Sequence, residues 1–125
     1  MDTVVKQVGL ASLVCVVGSV DALTAPEIAD CLESQLDSGR TRLVLDLGQT
    51  DFLSSAGLRV ILTILRKSRE RGGDLRLAAA QPGVEHVLRL SGVTEILETF
   101  STVDEAAASF GQDRLDVGGV QSKER

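Results

Sequence analysis

Aromatic side chains are nearly missing from this chain, which has three Phe and neither Trp nor Tyr. Single-stranded nucleic acid is held on stacking aromatics or arginine planes, so the composition argues against direct nucleic-acid binding. Positive charge is also in deficit, with 13 Lys and Arg against 18 Asp and Glu, which disfavours a phosphate backbone as partner. The arginines that do cluster, in residues 66–71, are accompanied by Glu70 and read as a solvated helix face. Cysteine is scarce: Cys15 sits in an apolar run and Cys31 in a helical pattern. Zinc needs more ligands in closer pairs, so two buried, reduced thiols are expected, which fits a cytoplasmic location. No apolar run is long enough to span a membrane, and the first residues lack the charged-then-apolar pattern of a secretory leader. The single histidine, His86, has no Cys or acid cluster near it in sequence and no Ser-His-Asp constellation to join. Neither glycine-rich phosphate-loop pattern occurs. No metal, cofactor or catalytic residue is therefore expected.

What is present is alternation of strand-like and helix-like segments. At 125 residues the chain has the size of one domain, large enough for a real core. Residues 3–8 and 12–17 are β-branched runs around Gly9-Leu10-Ala11 and predict an antiparallel hairpin. Thr24, with Glu27 three residues on and Pro26 in the first turn, predicts a capping box opening a helix to about Asp37. Residues 42–47 predict a strand, ended by Gly48-Gln49-Thr50-Asp51. The helix that follows buries Leu58, Ile61, Leu62 and Leu65 on one stripe and stops at Gly72-Gly73. Val60, Thr63 and Ile64 lie off that stripe and fit either a wide core face or a contact patch. Residues 75–79 predict a strand, 84–90 a helix, 96–97 a short strand and 103–110 a last helix, with a flexible tail over 111–125. The order ββαβαβαβα favours parallel neighbours in a sheet covered by helices.

The most informative place is the start of the helix after the third strand. Two adjacent serines, Ser54 and Ser55, stand where four backbone N–H groups lack intrahelical partners and where negative charge is welcome. A serine here is usually only a helix cap. The segment DFLSSAGLRVIL, however, resembles the signature of the STAS family (sulphate transporter and anti-sigma factor antagonist), in its bacterial anti-sigma factor antagonist branch. A hydrophobic pair, a small polar residue, the acceptor serine, a small residue, Gly and Leu correspond to Phe52, Leu53, Ser54, Ser55, Ala56, Gly57 and Leu58. Many members carry aspartate where this chain has Ser54. A weaker match, GSVDALTA at 18–25, resembles the family's segment at the end of an early strand.

The resemblance spans about residues 4–110. It implies a single α/β STAS-like domain over 1–110, with a mixed sheet of four to five strands and about four helices. It also implies that the loops after the second and third strands lie side by side. Ser55 then corresponds to the phosphoacceptor, with Ser54 as the alternative. Asp21, Thr24, Asp51, Ser54, Ala56, Gly57, Leu58 and Arg59 correspond to a partner-binding surface. The implied function is that of an anti-sigma factor antagonist working by partner switching. Its partners would be an anti-sigma factor serine kinase carrying its own ATP site, and a phosphatase. The alternative is a constitutive interaction subunit, docked on a transporter ATPase or in a signalling assembly, with no phosphorylation switch.

Overall fold

The computed structural model describes residues 2–119, and the side chains of residues 3–112. Its chain order is β1 (Asp2–Val8), β2 (Ala11–Val20), α1 (Ala25–Asp37), β3 (Arg42–Asp46), β4 (Thr50–Leu53), α2 (Ser55–Glu70), β5 (Asp74–Ala78), α3 (Pro82–Leu90), a 3-10 turn (Val93–Glu95), β6 (Thr99–Phe100) and α4 (Val103–Gly119). The sheet runs β1-β2-β3-β5-β6, with β4 paired to the far end of β2. The β1–β2 hairpin is antiparallel, and the pairs β2–β3, β3–β5, β5–β6 and β2–β4 are parallel. This is the α/β mixed sheet with four helices that the sequence predicts.

Alternation along the strands divides the core into two layers. Val14, Val16, Leu43, Leu45, Leu75 and Leu77 face α1, α2 and α3. Ala11, Leu13, Val44 and Ala78 face Ala106, Ala107 and Phe110 of α4. Arg76 points into this second layer and is 4 % exposed. Its guanidinium meets Asp74 at 3.1 Å, donates to Ser109 Oγ at 2.6 Å, and lies 4.0 Å from the centre of the Phe110 ring. A charge at that depth is tolerable only with such partners. It ties the last helix to the sheet.

Several sequence expectations are corrected. Residues 50–53 form a strand rather than only a loop: Thr50 is fully buried and donates its hydroxyl to the Val16 carbonyl at 2.8 Å. The turn signals are real, because Asp46 Oδ1 accepts the Gly48 N–H at 2.9 Å, but the chain rejoins β2 immediately afterwards. Residues 96–97 lie after a 3-10 turn, and the short strand comes later, at Thr99–Phe100. β5 ends at Ala78, and Ala79 takes a left-handed φ of 61° as the chain turns toward α3. On α2 the buried stripe is Gly57, Ile61, Ile64, Leu65 and Ser68, while Leu62 is exposed and Leu58 half-buried. Both cysteines are free and half-buried rather than buried. Burial, and then the Asp46 carboxylate to which the thiol donates at 3.3 Å, push the Cys15 thiol above its ordinary range. Helix α4 runs on to Gly119, nine residues beyond the end its sequence pattern predicts; residues 120–125 of the expected tail lie outside the described residues.

Candidate functional site at the start of α2

Two loops are brought together by the β2–β4 pairing. The Gly18 N–H donates to the Gln49 carbonyl at 3.0 Å, Ser19 Oγ donates to Asp51 at 2.9 Å, and the Ser54 N–H donates to the Val20 carbonyl at 2.9 Å. The residue before Asp21 is thus bonded to the residue before Ser55. Sequence proximity would never join them, since they are more than thirty positions apart.

The first loop is held by a reciprocal pair. Asp21 Oδ1 accepts the backbone N–H groups of Leu23 at 2.9 Å and Thr24 at 3.0 Å, while Thr24 Oγ1 accepts the Asp21 N–H at 2.9 Å. Thr24 Oγ1 also donates to the Ser19 carbonyl at 2.9 Å. This corrects the predicted capping box. Thr24 already has helical angles and its side chain caps nothing in α1. The reciprocal bonding sits one turn earlier, between Asp21 and Thr24. The backbone N–H donors of Thr24 and Leu23, in that order, hold the Asp21 carboxyl below the usual carboxylate range.

The two serines have different tasks. Ser54 is extended, with φ −90° and ψ 175°, and its Oγ accepts the Gly57 N–H at 3.4 Å. It is the cap. Ser55 is the first helical residue, is exposed, and its hydroxyl makes no hydrogen bond among the described residues. Gly57 is buried, because α2 crosses β2 and β4 there at close range. A Cβ at that position would meet Leu53 Cδ1 at 2.5 Å and Val20 Cγ1 at 2.7 Å. Of the proposed surface residues, Asp51 and Arg59 are exposed, and Asp21, Thr24, Ser54, Ala56 and Leu58 half-buried. Gly57 is a packing residue that lets the others be placed.

Two large apolar residues within the expected segments 21–24 and 50–59, not singled out among the surface residues, stand exposed here. Leu23 is 86 % exposed at the tip of the first loop, and Phe52 is 51 % exposed on β4. The signal for Leu23 was present, as a lone large apolar residue in the loop segment Asp21-Ala22-Leu23-Thr24. A groove of about 400 Å³ opens between α1 and α2, lined by residues that include Ala22, Pro26, Ala56, Arg59 and Val60. His86 lies elsewhere, exposed on α3. Among the described residues no helix is long and apolar enough to cross a membrane.

Comparison with known proteins places this arrangement. The family model for the STAS domain matches residues 2–106. This chain belongs to the STAS domain family. BtrV of Bordetella bronchiseptica, provisionally named an anti-sigma factor antagonist, is 38 % identical over 98 residues, which cover 78 % of this chain and 84 % of BtrV. The crystal structure of an anti-sigma factor antagonist from Mycobacterium paratuberculosis superposes with a TM-score of 0.80 at 26 % identity, covering 86 % of this chain and 92 % of that one. The Bacillus cell fate determinant SpoIIAA, solved in its phosphorylated form, shares the fold with a TM-score of 0.67 at 18 % identity, over 91 % of this STAS chain and 99 % of its own.

Proposed function

We propose that this STAS domain is an anti-sigma factor antagonist that switches partners by phosphorylation of Ser55. The observation that carries the reading is the division of labour at the start of α2. Ser54 is spent on the cap, and Ser55 offers an exposed hydroxyl that makes no hydrogen bond among the described residues, next to Ala56 of the groove between α1 and α2. The names of its relatives supply the partner class, an anti-sigma factor. In the unphosphorylated state the surface around Asp21, Leu23, Thr24, Phe52 and Arg59 binds that partner, and a sigma factor is released elsewhere.

The partner is a serine kinase with its own ATP site, so this chain needs neither cofactor nor catalytic base. The Ser55 Oγ–P bond forms as the β,γ-phosphate bond of ATP breaks; ADP leaves and the hydroxyl proton passes to a base on the kinase. The new group brings about −1.5 to −2 charges. The helix end tolerates it, but an apolar interface does not. Lowering affinity a hundredfold needs only about 2.7 kcal/mol, which one desolvated dianion supplies. A phosphatase restores the binding form, and the cycle belongs in the cytoplasm.

Intact-mass and site-mapping spectrometry on the protein from its own cells tests this directly. A single phosphate on Ser55 is expected. Ser55→Ala should then hold the kinase constitutively and Ser55→Asp should hold it weakly. Absence of phosphate at both Ser54 and Ser55 under all growth conditions would return the chain to the constitutive docking reading.

A further inference from the structure

Helix α2 carries a row of cations, and all but one have found a carboxylate. Arg66 pairs with Glu70 at 3.7 Å, Lys67 with Glu33 at 2.8 Å and Arg69 with Asp74 at 2.8 Å, and Arg71 at the end of the helix pairs with Asp37 at 3.4 Å. Arg59 makes no ion pair or hydrogen bond among the described residues, is exposed, and lines the groove between α1 and α2. The acids of the neighbouring loops are committed elsewhere: Asp21 to its own loop's N–H groups, and Asp51 to the Ser19 hydroxyl.

Arg59 follows Ser55 by four residues on the same helix. Side chains at that spacing stand one above the other, with Cβ atoms about 5–6 Å apart. Helical side chains also lean toward the N-terminus, so a guanidinium at position 59 can reach back to a group on Ser55. Its planar fork suits a phosphate and binds it through two parallel hydrogen bonds. We infer that Arg59 is the intramolecular receiver of a phosphate on Ser55, so that phosphorylation also removes the open cation from the groove beside it. The inference rests on the switch reading for the presence of that phosphate. It adds a positioning residue that couples the modified serine to the groove. Phosphorylation then changes two features of the surface at once: it adds a dianion on the rim and cancels the charge that a partner's carboxylate would meet.

The test needs no kinase. Phosphoserine is installed at position 55 of the full chain by genetic encoding, and the phosphate is titrated by 31P NMR at low salt. The parent should show a second phosphate midpoint about half a pH unit below that of Arg59→Gln, because a paired guanidinium favours the dianion. Arg59→Lys should fall between them, and the difference should collapse in 1 M salt. The unphosphorylated Arg59→Gln chain should melt with the parent, which controls for folding. Equal midpoints in parent and Arg59→Gln would overturn the inference and leave the phosphate to the helix N–H groups alone. Because the phosphate is put in place directly, this failure is distinct from failure of the switch, which is read by the absence of phosphate in cells.

Discussion

The two ends of α2 are built differently. At its C-terminal end every cation has a carboxylate, and Lys67–Glu33 and Arg71–Asp37 repeat the same link to α1 one turn apart. Gly73 there lets the chain pass against Thr41 at the entry to β3, since a Cβ would collide with the Thr41 carbonyl. At its N-terminal end Arg59 and Ser55 have no partner among the described residues, and Leu23 and Phe52 are exposed. One end pairs its charges within the chain. The other leaves several open, and open groups concentrated in one place point to an encounter surface. Gly57, the half-buried Ala56 and Leu58 packed on the core, and the Ser54 cap hold that surface in position.

Substitutions at the two glycines would probe the contrast most strongly. Gly73→Ala sets a methyl group against backbone that cannot step aside and should cost about 3 kcal/mol. Gly57→Ala meets the side chains of Leu53 and Val20 rather than backbone, and should cost about 1–2 kcal/mol. Denaturant unfolding of both variants checks the order; a more damaging Gly57→Ala would show that the site end is the tighter one.

The serines separate structure from function at a smaller scale. Ser54→Ala removes the cap and should lose about 1 kcal/mol. Ser55→Ala should stay within about 0.5 kcal/mol of the parent. Equal losses in thermal unfolding would mean that both hydroxyls serve the helix, and the division between them would fail.

The smallest effect concerns acid. The folded-state pKa of Asp21 is depressed by the N–H donors of Thr24 and Leu23. Its contribution to stability is therefore complete above the unfolded carboxylate value and is lost as pH falls through the lower folded value. Carboxyl 13C NMR should place its midpoint below 3.8, and the 21–24 loop should loosen only beneath that. A midpoint at or above 3.8 would mean that the loop bonds do not persist in solution.

Much of this was legible in the residues. Helical spacing marks α1, α2 and α3, and β-branched runs mark β1, β2, β3 and β5. The DFLSSAGLRVIL segment carries the family and singles out Ser55. What failed did so for reasons of context. Thr50 looks like a turn residue because it is polar, yet it is buried by donating to a strand 34 positions away. Leu62 fits the apolar stripe as well as Ile64 does, and only the tilt of α2 on the sheet decides which is covered. Thr24 and Glu27 satisfy a capping pattern that Asp21 and Thr24 fulfil instead.

Taken alone, the sequence determined where strands, helices and breaks fall, because those depend on side-chain period and on local backbone preference. It also determined that a serine would stand at a helix start. That Ser54 is the cap and Ser55 is left free is also local, since the bond from the Gly57 N–H to Ser54 Oγ spans only three residues. The tertiary structure decided that the Asp21 loop and Ser55 share one surface, since the Ser54–Val20 hydrogen bond joins residues that are distant along the chain. It also left Arg59 as the open cation of α2, because whether a charge is paired depends on which helices and loops lie opposite, and no local rule of sequence encodes that.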